Sequence, residues 1–147
     1  NKLKCNKLDL KQSDLLFLTR NDARRQRIRN IDSIEYIVQK LGGTVLNPAT
    51  LNLQEKAGIL SKFKTIIAES SGCVNHWLLA NSDAHLIALI DCNALHDYNL
   101  LIGGLTYMAI KSYQTSWLIG HDYQLLDNSP LGSCTFNIED LVAILSH

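Results

Sequence analysis

No excess of charge of either sign runs through this chain. Its 14 basic and 14 acidic side chains cancel, and only 19% of its 147 residues are charged. A general nucleic-acid binder carries a basic surplus, so that class is set aside. No apolar run reaches the roughly 18–20 residues of a membrane-spanning helix. The longest candidate, Leu100 to Ile110, is interrupted by Gly103 and Gly104. No secretory leader is visible, since the start, Asn1 to Leu10, is polar and lysine-rich. An initiator methionine is also missing, which points to a fragment or a trimmed chain. Cys5, Cys73, Cys92 and Cys134 stand far apart, with no Cys-x-x-Cys pair. They read as free thiols in a reducing compartment, and the expected location is cytoplasmic or peripheral to the inner membrane. Neither the Gly-x-Gly-x-x-Gly fingerprint nor the P-loop lysine pattern is present. A Gly-x-Ser-x-Gly elbow and an Asp-x-Asp metal motif are lacking too, so neither a metal nor a cofactor is expected. There is no internal repeat and no low-complexity stretch.

What remains is an ordinary globular composition, 46% hydrophobic, in a length that fits one domain over residues 1–147. Asp14 to Thr19 is a short apolar run, long enough for a buried strand. Asn30 is placed to cap a helix with Asp32 in its first turn. Ile31, Ile34, Val38 and Leu41 recur at helical spacing, and Gly42-Gly43 ends that helix. Thr44 to Leu46 reads as a second strand. Asn52-x-x-Glu55 has the form of a capping box for a helix carrying Leu53, Leu60 and Phe63 on one side. Thr65 to Ala68 and His85 to Ile90 read as strands three and four, with a short helix, Cys73 to Ala80, between them. Leu100 to Tyr113 reads as helix, Thr115 to Ile119 as a fifth strand, and Gly120 to Thr135 as an irregular loop. Asn137 caps a last helix with Leu141, Val142, Ile144 and Leu145 inward. Strands alternating with helices predict an α/β fold: a Rossmann-like parallel sheet flanked by helices, built from right-handed crossovers. Such sheets bind ligands beyond the carboxyl ends of their strands.

Three constellations fall at those ends. All five arginines lie in one stretch, Arg20, Arg24, Arg25, Arg27 and Arg29, and every other basic side chain is a lysine. Arginine grips phosphate or carboxylate with paired hydrogen bonds, and this stretch leads into a helix N-terminus. It reads either as an anion site or as a solvated basic loop. Glu69-Ser70-Ser71-Gly72-Cys73-Val74-Asn75 is a small-residue turn between strand and helix, where a ligand can approach the backbone closely. Here Glu69 is a candidate base, and Ser70 and Ser71 are candidate donors to phosphate or sugar oxygens; a plain tight turn is the other reading. Asp91, His96 and Asp97 follow the fourth strand and suit ribose binding or acid–base work, or a generic polar loop. His76 and His85 read as structural, and His121-Asp122 is a weak signal.

Together the first two loops resemble glycosyltransferase family 61, including its bacterial capsular-polysaccharide members. The family pattern runs strand–Arg, then Arg-Arg-Ile-x-Asn-Glu, then a helix. Here it reads Arg20-Asn-Asp-Ala-Arg-Arg-Gln-Arg27-Ile28-Arg29-Asn30-Ile31. Further on, Ile66-Ile67-Ala68-Glu69-Ser70-Ser71-Gly72-Cys73-Val74-Asn75 is similar to the family's strand, small-residue turn and following Asn, and Leu86 to Asp91 fits its next strand. The resemblance spans roughly Leu15 to Asp91 and is to the C-terminal, nucleotide-sugar-binding half of a two-domain, GT-B-type inverting enzyme. The arginines and Asn75 are the positions it carries best; joined with the residue readings above it gives a donor site of Arg20, Arg24, Arg27, Asn30, Ser70, Ser71, Gly72, Asn75 and Asp91, with Glu69, or a residue of the missing domain, as the catalytic base. The implied partners are a nucleotide-sugar, foremost a UDP-sugar, a glycan acceptor, and an N-terminal domain missing from this chain. Gln26, Ile31, Lys56 and the pair Glu69-Ser70 depart from the pattern. That last substitution motivates an alternative, a catalytically degenerate binding or assembly module of polysaccharide biosynthesis. Another sugar-nucleotide or pyruvyl-type transferase on the same fold is a third reading.

Overall fold

Five short apolar runs become five parallel strands: β1 (Leu15–Leu18), β2 (Thr44–Leu46), β3 (Thr65–Glu69), β4 (His85–Asp91) and β5 (Gln114–Gly120). The computed structural model describes residues 14–19, 28–69, 79–91, 114–121 and 134–146. The strands form one sheet in the order β2-β1-β3-β4-β5. Leu18 pairs with Leu46 on one side and Ala68 on the other, Ala68 with Ala88, and Ala88 with Trp117. Every expected strand lies within one residue of its observed ends. Leu15 to Leu18 are all buried, as a strand covered on both faces requires.

Three helices are described: α1 (Ile31–Lys40), α2 (Leu53–Leu60) and α3 (Ile138–Leu145). Side chains alternate across the sheet and divide the core in two. Leu15, Phe17, Ile67, Ile87, Leu89 and Leu118 pack with Ile31, Ile34 and Val38 of α1 and Leu141 of α3. Leu16, Leu18, Ile66, Ala68, Leu86, Ala88 and Ile90 pack on the other face with Leu60 of α2. This division follows from handedness. The β1-to-β2 crossover and the β2-to-β3 crossover run in opposite directions along the sheet, so right-handed connections put their helices on opposite faces.

Local chemistry sets the helix ends. At α1 the chain turns at Gly42, whose φ of 84° suits glycine. Gly43 follows where a Cβ would lie 2.9 Å from both Leu15 Cγ and Val38 Cγ1. At α2 the capping box forms: Asn52 Oδ1 accepts from the Glu55 N–H at 2.8 Å, and Glu55 Oε1 accepts from the Asn52 N–H at 3.0 Å. At α3 Asn137 Oδ1 accepts from the Asp140 N–H at 3.0 Å.

Some expectations need correction. Leu53 does not share a buried stripe with Leu60; it is 72% exposed and lines a shallow groove with Asn52, Gln54, Ala57 and Leu79. Its spacing from Leu60 is helical, but it sits in the first turn and does not join the core. The helix expected over Cys73 to Ala80 does not reach its end, because Leu79 is a turn residue and Ala80 a bend. The rest of that helix, and the one expected from Leu100 to Tyr113, lie outside the described residues. Val142 is only half-buried, while Ile138 joins Ile144 and Leu145 against the core.

Candidate functional site

Strand order locates the crevice. From β1 the chain crosses to β2 on one side, then returns past β1 to place β3 on the other. The chain leaving β1 and the chain leaving β3 therefore go on to strands on opposite sides of this pair. In open parallel sheets this topological switch point is where ligands bind. The loop leaving β1 carries Arg20, Arg24 and Arg27. The loop leaving β3 carries Ser70, Ser71, Gly72 and Asn75. These seven residues lie outside the described residues, but the strand ends that launch both loops are described.

On the β1 side stands Thr19, 3% exposed. Its N–H donates to the Leu46 carbonyl at 2.9 Å, extending the β1–β2 ladder. Its hydroxyl donates to Glu35 Oε2 of α1 at 2.5 Å. The start of the arginine loop is thus tied to both a strand and a helix. On the β3 side stands Glu69, the last strand residue, 9% exposed and backbone-paired with Leu89. Glu69 follows the alternation of Ile67, and Thr19 that of Phe17, so both belong to the face that α1 covers. Asp91 ends β4 and its backbone pairs with Gly120, further along the same carboxyl edge. The candidate base and the ribose-binding candidate therefore share one edge with the ends of both loops.

The far end of the arginine loop is held by an unexpected partner. Ile28 bridges Cys134, and the Arg29 N–H donates to the Cys134 carbonyl at 2.8 Å. Asn30 occupies the N-cap position of α1 but makes no side-chain cap bond. Its Nδ2 donates to the Phe136 carbonyl at 2.7 Å, and its Oδ1 accepts from the Phe136 N–H at 3.1 Å. Residues 134–136 are fixed in turn to β5. Thr135 and His121 exchange two backbone hydrogen bonds of 2.8 and 2.9 Å. A Cβ on Gly120 would lie 2.8 Å from Phe136 Cζ and 2.9 Å from Cys134 Sγ, so only glycine lets this segment pack so closely.

Sequence reasoning missed Thr19, Glu35, Cys134 and Phe136. A hydroxyl at a strand's carboxyl end, facing a Glu one turn into the next helix, was the available signal for the first pair. Nothing periodic marks the second pair. His85 lies at the opposite, amino edge, where its Nε2 shares a 2.7 Å hydrogen bond with Ser116 Oγ and burial lowers its pKa. That placement fits a structural role. Cys134 is buried; Cys5, Cys73 and Cys92, with His76, His96 and Asp97, lie outside the described residues. Among the described residues no helix is long and apolar enough to cross a membrane.

A family model described as Glycosyltransferase 61 matches residues 1–87 of the 147, more than half the chain. The matched span holds β1, both candidate loops and the first residues of β4. No curated protein and no solved structure matches.

Proposed function

The chain belongs to the glycosyltransferase 61 family, and from that premise we propose that it is the donor side of an inverting, metal-independent sugar transfer. The donor is a nucleotide-sugar, foremost a UDP-sugar, and the acceptor is a glycan or polysaccharide hydroxyl. One observation supports this reading above the others. The two strands flanking the switch point, β1 and β3, are those followed by the arginine loop and the Ser-Ser-Gly turn. Arg20, Arg24 and Arg27 supply guanidinium forks matched to a diphosphate. Ser70, Ser71 and the backbone near Gly72 supply hydrogen-bond donors, with Asn75 and Asp91 toward the sugar and ribose hydroxyls.

In the reaction, the acceptor oxygen attacks the anomeric carbon opposite the leaving group. The new carbon–oxygen bond forms as the bond to the diphosphate oxygen breaks, and the nucleoside diphosphate leaves with the electron pair. Guanidinium groups stabilise the charge that develops there. The acceptor proton passes to a carboxylate, assigned to Glu69 or to a base on a further domain.

Thermal unfolding in the presence of UDP tests the donor site. UDP is expected to raise the midpoint, and Arg27→Ala to abolish that rise. The absence of a shift with any nucleoside diphosphate at millimolar concentration overturns the reading. Binding without UDP release from a UDP-sugar in the presence of glycan acceptors marks the chain instead as a degenerate binding or assembly module.

A further inference from the structure

We propose that Thr19 and Glu35 form a proton relay that empties Glu69 into solvent after each transfer. The inference rests on the reading of Glu69 as the base. It gives two further residues a part in the same reaction, neither of them in contact with the donor.

A base withdrawn from water needs an exit for its proton. Glu69 ends β3 with only 9% of its surface exposed, and a carboxyl that stays protonated cannot serve the next turnover. Thr19 stands opposite Glu69, one register step beyond the Leu18–Ala68 pair. Both side chains belong to the face that α1 covers. Neighbouring strands lie about 4.8 Å apart, which puts the Thr19 hydroxyl within reach of a glutamate carboxyl. Thr19 is itself 3% exposed, and its hydroxyl donates to Glu35 Oε2 at 2.5 Å. That length is in the range of hydroxyl–carboxylate bonds, and a hydroxyl that donates in one direction accepts in the other. Glu35 is half-buried on α1, while Asp32 and Gln39, one turn to either side, are exposed. Carboxyl, hydroxyl and carboxylate thus step from a buried strand end to the helix surface.

In the relay, protonated Glu69 gives its proton to Thr19 Oγ as the Thr19 hydroxyl gives its own to Glu35 Oε2. The Glu69 carboxylate is restored, Thr19 keeps one proton, and Glu35 loses the other to water. No bond between heavy atoms forms or breaks.

UDP release from a UDP-sugar with glycan acceptors, measured in H2O and D2O at saturating donor, tests this, with UDP affinity followed by calorimetry. Glu35→Gln keeps an acceptor for the Thr19 hydroxyl but cannot take up the proton. Thr19→Val keeps the shape and removes the hop, and Thr19→Ser returns the hydroxyl. Glu35→Gln and Thr19→Val are expected to lower kcat about tenfold, less than loss of the base itself. Both are expected to enlarge the solvent isotope effect on kcat, because proton release then limits turnover, with donor KM and UDP affinity unchanged. Thr19→Ser is expected to recover most of what Thr19→Val loses. Gly43→Ala, which overpacks the turn at the amino end of β2, controls for destabilisation and leaves kcat and the isotope effect as they were. If Thr19→Val does not fold, Glu35→Gln decides alone. An unchanged kcat in Glu35→Gln, or a fall with an unchanged isotope effect, overturns the relay while the donor reading stands. UDP binding without turnover in the unmodified chain also overturns the relay alone, and no UDP binding at all removes the donor reading with it.

Discussion

The two polar side chains described at the carboxyl ends of β1 and β3, Thr19 and Glu69, are both withdrawn from solvent. Glu69 is a carboxylate with only 9% of its surface exposed, at the end of a strand rather than on a loop. If it takes the acceptor's proton, Glu69→Gln keeps its shape and hydrogen-bonding reach but removes the base. The expected result is a fall in kcat of about 10²–10⁴-fold with the donor KM little changed, read by UDP release under saturating donor. His85 gives a prediction of a different kind. Burial lowers its pKa from the ordinary 6.5, so protonation costs more in the folded chain than in the unfolded one. Below 6.5, and down to the folded value, the unfolded state holds more protons. Stability from this group is therefore full above pH 6.5 and is lost as pH falls through that window. Urea unfolding at a series of pH values is expected to show this slope in the unmodified chain and a shallower one in His85→Asn. The identity of these residues was legible in the sequence, but their environment was not. Nothing in the string of letters pairs Thr19 with Glu35, or turns the amide of Asn30 away from its own helix toward Phe136, because those partners are set by tertiary packing.

Elements were the most legible level, for physical reasons that can be named. The central strands β1, β3 and β4 are built on apolar runs, and glycine, asparagine or proline punctuates the turns at Gly42-Gly43 and Asn47-Pro48. The Asn52–Glu55 box is local, needing only residues three apart, and it forms as the spacing implies. Asn52→Ala is expected to cost about 1 kcal/mol of stability, measured by chemical denaturation, with no effect on UDP affinity. Gly43→Ala is expected to cost about 1–3 kcal/mol, since the new methyl meets Leu15 and Val38 inside van der Waals distance. Illegible elements were those without a period. Residues 134–136 contribute Cys134 and Phe136 to the core from irregular chain, and no helical or strand spacing announces them. Leu53 fails in the opposite sense: its period is right, but the first turn of a short helix lies outside the core.

At the scale of the whole molecule, the decisive fact is the order of the strands, and sequence supplies only their succession. Alternation of strand and helix predicts a parallel sheet, but not that β3 joins on the far side of β1. That single topological choice makes neighbours of β1 and β3, the strands that the arginine and serine stretches follow in the sequence. It also splits the hydrophobic core into two layers that share one sheet. Leu141 on one layer and Leu60 on the other are both essentially fully buried, and they belong to separate clusters. Leu141→Ala and Leu60→Ala are each expected to cost about 2–5 kcal/mol. Because they share no partners, the double variant is expected to lose the sum. All three are expected to unfold in a single transition, because neither layer can lose its helices while the common strands Leu15–Leu18 and Thr65–Glu69 stay paired. On the donor reading, a ligand bound beyond the paired carboxyl ends of β1 and β3 stabilises both of those central strands. UDP at about a hundred times its Kd is therefore expected to add about 2.7 kcal/mol to that same transition, in Leu60→Ala and Leu141→Ala alike. Differential scanning calorimetry with and without UDP checks this. Two resolved transitions, with UDP moving only one, would separate the layers and detach the crevice from the fold that frames it.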